Sequence, residues 1–203
     1  MMFLRFLVLD IQKLYWTAVI KIKKFFSFNE QYRSQLAAHE AGHTVTVLCT
    51  ENMHFLESVI DVDNLNGRCN FWIDVDKDKT QTIVEQMTVC LGGLAGELIT
   101  NHKLEESSVS DIKAFFQFKK LLVDWRTAIP STKLIPPAQC LSLKLCVKCL
   151  DKNNAQDDCT QNDIECFQFF LSVALDQCHQ HQPLLNNIIN HLNQHDQFTV
   201  ENL

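Results

Sequence analysis

A mainly α fold with a small β-hairpin, an α+β arrangement, is what this sequence predicts. Three observations carry that expectation. Apolar residues recur at helical spacing over most of the chain from 29 to 203, and two β-branched, aromatic runs flank a single turn signal. The composition, 46% hydrophobic and 21% charged over 203 residues, suits one well-buried domain or one domain plus a small appendage. It excludes a disordered chain, and no internal repeat or low-complexity tract interrupts it.

Residues 1–28 read as a separate apolar, basic, amphipathic helix. They are rich in Phe, Leu, Ile and Val, but Arg5, Asp10 and Lys13 interrupt the run. The longest uncharged stretch, Leu14 to Ile20, falls far short of the roughly 18 residues a spanning helix needs. On a helix, Asp10, Lys13, Thr17, Lys21 and Lys24 form one narrow polar stripe opposite a broad apolar face. Residues 1–26 therefore suit peripheral contact with a membrane surface, and equally suit docking onto a protein surface. The internal charges, and the lack of a small-residue cleavage site, argue against a signal peptide.

The body, 29–203, opens with a helical pattern from Asn29 or Glu30 to about Thr50. Phe55 to Val62 and Cys69 to Val75 read as strands joined through Asn64-Leu65-Asn66-Gly67, a hairpin or short sheet. Such a sheet offers an edge on which an extended peptide can pair. Thr80 to Thr100 is helical again, with Ile83, Val84, Met87, Leu91, Leu94, Ala95 and Leu98 on its apolar face. Gly92-Gly93 in its middle disfavours a helix and signals close helix–helix contact. A further amphipathic helix runs from Ser108 to Trp125. Pro130, Pro136 and Pro137 mark a loop, and helices follow at about 138–151, 160–179 and 183–195.

The chemistry sits in His39-Glu40-Ala41-Gly42-His43. Residues four apart share a helix face, so His39 and His43 can each offer a ring nitrogen to one Zn2+ ion. Glu40, one step round, can take a proton from water held in the metal's open position. The competing reading is a surface helix with a solvated histidine pair. Ala37, Ala38 and Ala41 point instead to a closely packed helix, and Gly42 suggests that another backbone or a substrate approaches.

Two histidines leave a hydrolytic zinc site one protein ligand short. Asp111 opens the helix that starts at Ser108 and can complete it, with Glu105 and Glu106 as competing carboxylates. Ser108-x-x-Asp111 equally fits a capping box in which the acid only stabilises a helix start. Glu97 reads either as a group that orients a ligand histidine or as a solvated helix glutamate. His54 and His102 read as surface histidines in or near loops.

Charge and cysteine content narrow the class further. The net charge of −6 divides into +4 on residues 1–28, where five cations face Asp10, and −10 on the remainder. An acidic body argues against nucleic acid as a partner. Five glycines, none in a phosphate-cradling loop, argue against a nucleotide site. Nine cysteines without a signal peptide read as reduced thiols, which implies an intracellular location, cytoplasmic or peripheral on the cytoplasmic membrane face. Cys146 and Cys149, with Cys159 and Cys166, lack familiar zinc-ribbon intervals and sit among Leu143, Leu145 and Leu150 as small hydrophobes.

Three stretches together resemble the FtsH-type zinc metallopeptidase family: Ala37 to His43, then Leu91-Gly92-Gly93-Leu94-Ala95-Gly96-Glu97-Leu98-Ile99, then Ser108-Val109-Ser110-Asp111-Ile112. The likeness covers about residues 30–203, because Leu184 to Leu203, with Phe198-Thr199-Val200-Glu201, is similar to the end of that peptidase domain. The resemblance implies an FtsH-like helical bundle carrying the two-histidine motif. It implies a zinc metalloendopeptidase with His39, His43 and Asp111 as ligands, Glu40 as the group activating water, and Glu97 at an acidic position of the glycine signature. The ATPase module that accompanies this domain in the family has no counterpart in this sequence. The expected activity is therefore proteolysis of flexible or unfolded polypeptide substrates without ATP, alone as a homo-oligomer or beside an FtsH-type ATPase partner. A non-catalytic, protease-like interaction or regulatory module is the alternative.

Overall fold

The computed structural model describes residues 30–74, 78–100, 106–122, 124–128 and 160–203. The amphipathic helix expected over 1–28, the helix expected at 138–151, Glu105, His102, Cys146, Cys149 and Cys159 lie outside them. Helix α1 spans 30–48 and is followed by strands β1 (Met53–Asp61) and β2 (Asn66–Ile73). Four helices come next: α2 (Lys79–Cys90), α3 (Gly92–Ile99), α4 (Glu106–Lys119) and α5 (Gln161–Gln180). Helix α6 (Gln182–His195), strand β3 (Gln197–Thr199) and a short 3-10 turn (Val200–Asn202) end the chain. The described residues are thus mainly helical with a small antiparallel sheet of order β2-β1-β3.

Helix α1 lies at the centre. Ala37, Ala38, Ala41 and Val45 are fully buried, and the smallness of the alanines lets a second helix come close. That helix is α3. A methyl group on Gly42 would overlap the carbonyl of Gly92, and one on Gly96 would overlap the carbonyl of Ala38. The two backbones therefore meet through small residues four apart on each helix, the contact that Gly42 and Gly92-Gly93 signalled. The single helix expected over 80–100 is broken instead. Leu91 adopts φ −96° and ψ 0° and turns the chain between α2 and α3, so that Gly92 and Gly93 begin a helix rather than interrupt one.

The hairpin forms with shifted limits. Strand β2 begins at Asn66, earlier than expected, so Gly67 belongs to the strand and Leu65 takes the left-handed conformation of the turn, φ 52°. The register of β1 against β2 slips between Phe55 and Glu57, a β-bulge that reverses the alternation. Met53 and Phe55 face the core before it, Ser58 and Ile60 after it. Strand β3 has no counterpart in the sequence reading. It pairs antiparallel with β1, and the Ile60 N–H donates to the Asp196 carbonyl at 2.8 Å.

The second half of the core is aromatic. Phe115 of α4 meets Phe167 and Phe170 of α5 edge-on, with centroids 5.5 and 5.7 Å apart. Helix α4 starts two residues before Ser108 and stops at Lys119, short of the expected limit at Trp125. Trp125 lies in the following turn and packs on Phe169, its indole N–H donating to Asn162 Oδ1 at 3.1 Å. Cys166 is buried among these rings, a small hydrophobe as expected.

Helix α5 begins with a reciprocal cap. The Asp163 N–H donates to the Thr160 hydroxyl oxygen, and the Thr160 N–H donates to Asp163 Oδ2. Lys119 from the end of α4 pairs with the same carboxylate. Burial raises the Asp163 pKa, but Lys119 and Thr160 outweigh it and hold the group below its ordinary value. Asp163→Ala should cost about 1 kcal/mol of stability. At neutral pH, circular dichroism should show this as a fall in melting temperature of about 2–4 °C. Because the folded pKa is depressed, the carboxylate stabilises above its unfolded pKa. The gap between wild type and variant should close as pH falls below about 4.

Candidate metal centre

Helix α1 brings His39 and His43 onto one face, their ring centroids 4.7 Å apart. Helix α4 brings Asp111 against both. His39 Nε2 and His43 Nε2 are 3.1 Å apart, and Asp111 Oδ2 lies 2.9 Å from the first and 3.2 Å from the second. Among the described residues these form the one group of three or more His, Cys, Asp and Glu placed to hold a metal ion.

The other nitrogen of each ring is already committed. His39 Nδ1 donates to Glu97 Oε1 at 2.7 Å, and His43 Nδ1 donates to the Val89 carbonyl at 2.7 Å. Carboxylate and carbonyl oxygens can only accept here, so in the neutral rings both Nε2 lone pairs face Asp111 Oδ2. Two lone pairs and an anionic oxygen meeting at about 3 Å repel one another unless a positive charge lies between them.

The titration behaviour expresses the same demand. Burial works against charging the His39 imidazole, but Asp111, Glu97 and the charge of Glu40 outweigh it and raise its pKa to about 10. His43 is likewise raised, against burial, chiefly by Asp111. Asp111 is held well below the usual carboxylate range because the imidazoles outweigh its burial.

A zinc ion fits this donor set. Bonds of about 2.0–2.2 Å in tetrahedral array place ligand atoms roughly 3.3 Å apart, close to the triangle observed. Glu40 supplies an independent sign. It is 3% exposed, and its Oε2 is buried without a hydrogen-bond partner. Burial raises its pKa, with His43 and His39 opposing. An orphaned carboxylate oxygen beside a triad of donors is the arrangement a group accepting a proton from water requires.

Glycines set the walls. A Cβ on Gly93 would lie 2.5 Å from His39 Cε1 and 2.6 Å from the Nε2 atoms of both histidines. The backbone of α3 thus forms the floor beneath the two rings. Gly67 of β2 stands against Glu40 in the same way, so the hairpin closes over the carboxylate. The site opens into a cleft of about 750 Å³ lined by Leu36, Phe71, Val89 and Phe118 as well as the polar residues. Beneath Glu40, Thr44 donates its hydroxyl proton to the Glu40 carbonyl at 2.9 Å and lies 2.6 Å from Ser58 Oγ.

Several sequence alternatives are decided by these positions. Asp111 lies in the second turn of α4, and the Ser108 hydroxyl donates to Glu97 Oε2 at 2.9 Å instead of capping the helix. The capping-box reading is therefore replaced by a link between α4 and α3. Glu97 is fully buried between Ser108 and His39, so it is not a solvated glutamate. His54 is exposed but sits on β1 rather than in a loop, stacked on Trp72 with centroids 3.9 Å apart. The roles of Ser108, Gly67 and the Val89 carbonyl escaped the sequence reading. The sequence shows Ser108 only as part of a helix start that also fits a capping box, and Gly67 only as part of a turn signal, and a backbone carbonyl leaves no sequence signal.

Glu97→Gln keeps the shape but weakens the hold on His39 Nδ1–H. If the triad holds zinc, this variant should bind it about 10–100-fold more weakly in a chelator competition assay, with helix content unchanged. If the triad holds zinc, Gly93→Ala should abolish that binding, because the methyl group occupies the space of the ring edges. Retention of wild-type affinity by Gly93→Ala would show that α3 does not form the floor of the site.

A scan against protein-family models finds no match to this chain, and a search of curated proteins finds none.

Proposed function

We propose that the chain is an FtsH-type zinc-dependent endopeptidase that hydrolyses flexible or unfolded polypeptides without ATP of its own. The observation that carries this reading is the convergence of His39 Nε2, His43 Nε2 and Asp111 Oδ2 beside the unpartnered Oε2 of Glu40 in one open cleft. His39, His43 and Asp111 would hold the ion. Zinc, when bound, supplies a Lewis acid that acidifies water and polarises a peptide carbonyl. Glu97 and the Val89 carbonyl fix the two imidazoles in the orientation that leaves Nε2 free.

Glu40 does the proton work. Its carboxylate takes a proton from water as the water oxygen bonds to the scissile carbonyl carbon. The raised pKa that burial gives it lets it keep that proton. It then delivers the proton to the amide nitrogen as the C–N bond breaks, so the nitrogen leaves as an amine. The substrate chain lies along β2, an outer strand of the sheet, and its side chains enter the apolar part of the cleft between Phe71 and Phe118.

Glu40→Gln should retain stoichiometric zinc and lower cleavage of an unfolded protein about 10²–10⁴-fold, measured without ATP. Asp111→Ala should lose zinc while its helical circular dichroism persists. A variant that kept full zinc would remove Asp111 from the ligand set. Stoichiometric zinc with no cleavage by the wild type would favour a binding module over an enzyme.

A further inference from the structure

Helix α6 carries a second pair of histidines four residues apart, and the hydrolytic chemistry does not use it. His191 and His195 share one face of the helix, at the margin of its buried stripe of Leu185, Ile188 and Leu192. Their ring centroids are 4.6 Å apart, against 4.7 Å for His39 and His43 in the buried centre. His195 is exposed in the last turn of the helix. His191 is half-buried, its ring nearly perpendicular to that of Phe198 with centroids 5.4 Å apart. Phe198 is itself fully buried, so it anchors one member of the pair while the other faces solvent.

Neither ring makes a hydrogen bond or an ion pair among the described residues, so the nitrogens of both imidazoles are open to a ligand. The carboxylates of this corner already have partners. Asp196, the next residue, pairs with Arg33, and Glu57 accepts from Asn70 at 2.8 Å and from Gln197 at 2.6 Å. The free donors here are therefore imidazole nitrogens.

We propose that His191 and His195 form a second metal site, which takes a divalent transition ion of the class that favours imidazole: Cu2+, Ni2+ or Zn2+. Two rings one helical turn apart act as a single chelate, and water fills the remaining positions. The pair differs from the triad in what stands behind the rings. His39 and His43 are oriented by Glu97 and the Val89 carbonyl, whereas no described residue accepts a hydrogen bond from His191 or His195. Support of that kind is worth about 10–100-fold in metal affinity. The site on α6 is therefore the weaker and exchangeable one, filling and emptying with the supply of metal. The helix holds the rings at chelating distance and an unfolded chain does not, so a bound ion stabilises the last turn of α6 and its corner with β3.

Calorimetric titration of the full chain with Ni2+ alone tests this, on wild type holding one Zn2+ per chain and on Asp111→Ala without zinc. Both should take a Ni2+ ion that His195→Gln binds about 100-fold more weakly, as expected when a two-point attachment loses one point. His195 is exposed, so its replacement leaves the core untouched. Asn193→His combined with His195→Gln keeps the number of histidines but sets the two rings on diverging faces of the helix. It should bind Ni2+ as weakly as His195→Gln. At ten times its Kd, Ni2+ should raise the melting temperature of wild type by about 3–5 °C and leave both variants unchanged.

Persistence of the Ni2+ site in Asp111→Ala separates it from the triad, so it stands whether or not the peptidase reading does. Absence of this Ni2+ ion from wild type overturns the proposal. So does equal affinity in wild type and His195→Gln, or recovery of wild-type affinity by the variant carrying Asn193→His.

Discussion

The close crossing of α1 and α3 is the constraint on which the site depends. Ala38 and Gly42 on one helix, and Gly92 and Gly96 on the other, remove every side chain that would hold the backbones apart. Because α3 lies so near, Glu97 reaches His39 Nδ1 and Gly93 reaches the edges of both rings. A larger residue at any of these glycines would move α3 outward and take the Glu97 carboxylate with it. The intrinsic preference of glycine against helix, about 1 kcal/mol at each position, is therefore accepted where packing density requires it.

A second layer of order comes from the polar groups behind the site. The Ser108 hydroxyl holds one oxygen of Glu97 and His39 holds the other, so a fully buried carboxylate ties α4 to α1 through α3. Asp111 rides on the same helix as Ser108, one turn further along. The Asp111 oxygen that faces the two imidazoles and the Glu97 oxygen that orients His39 are thus both held in place through α4. Glu85 plays a comparable part at the other end of α1, accepting the Glu51 and Asn52 N–H groups and fixing the passage into β1. Buried charge in this molecule is spent on geometry at helix junctions.

Much of this was legible in the residues. The spacing of His39 and His43 places both imidazoles on one face whatever surrounds them, and among the described residues the hydrophobic periodicity placed α1, α5 and α6 to within about two residues. Asp111 was only half legible: a carboxylate three residues after a serine fits a cap as well as a ligand, and local spacing carries no information on where α4 docks. Glu97 was undecided for the same reason, since its burial is created by α4 and α1 rather than by its own helix. The break at Leu91 was invisible because an apolar residue continues a helical pattern whether or not the chain turns there. Strand β3 escaped because three residues are too few to show alternation, and its pairing with β1 depends on contacts distant in sequence.

The bulge in β1 bears on the electrostatics of the whole centre. Had strict alternation continued from Met53 and Phe55, Glu57 would have pointed inward, toward Thr44 and the underside of Glu40. The extra residue instead presents the Ser58 hydroxyl there and sends the Glu57 carboxylate outward to Asn70 and Gln197. One uncounted residue in a strand thus works as an electrical insulator, keeping a further negative charge out of a site whose proton affinities are set by how many carboxylates it contains.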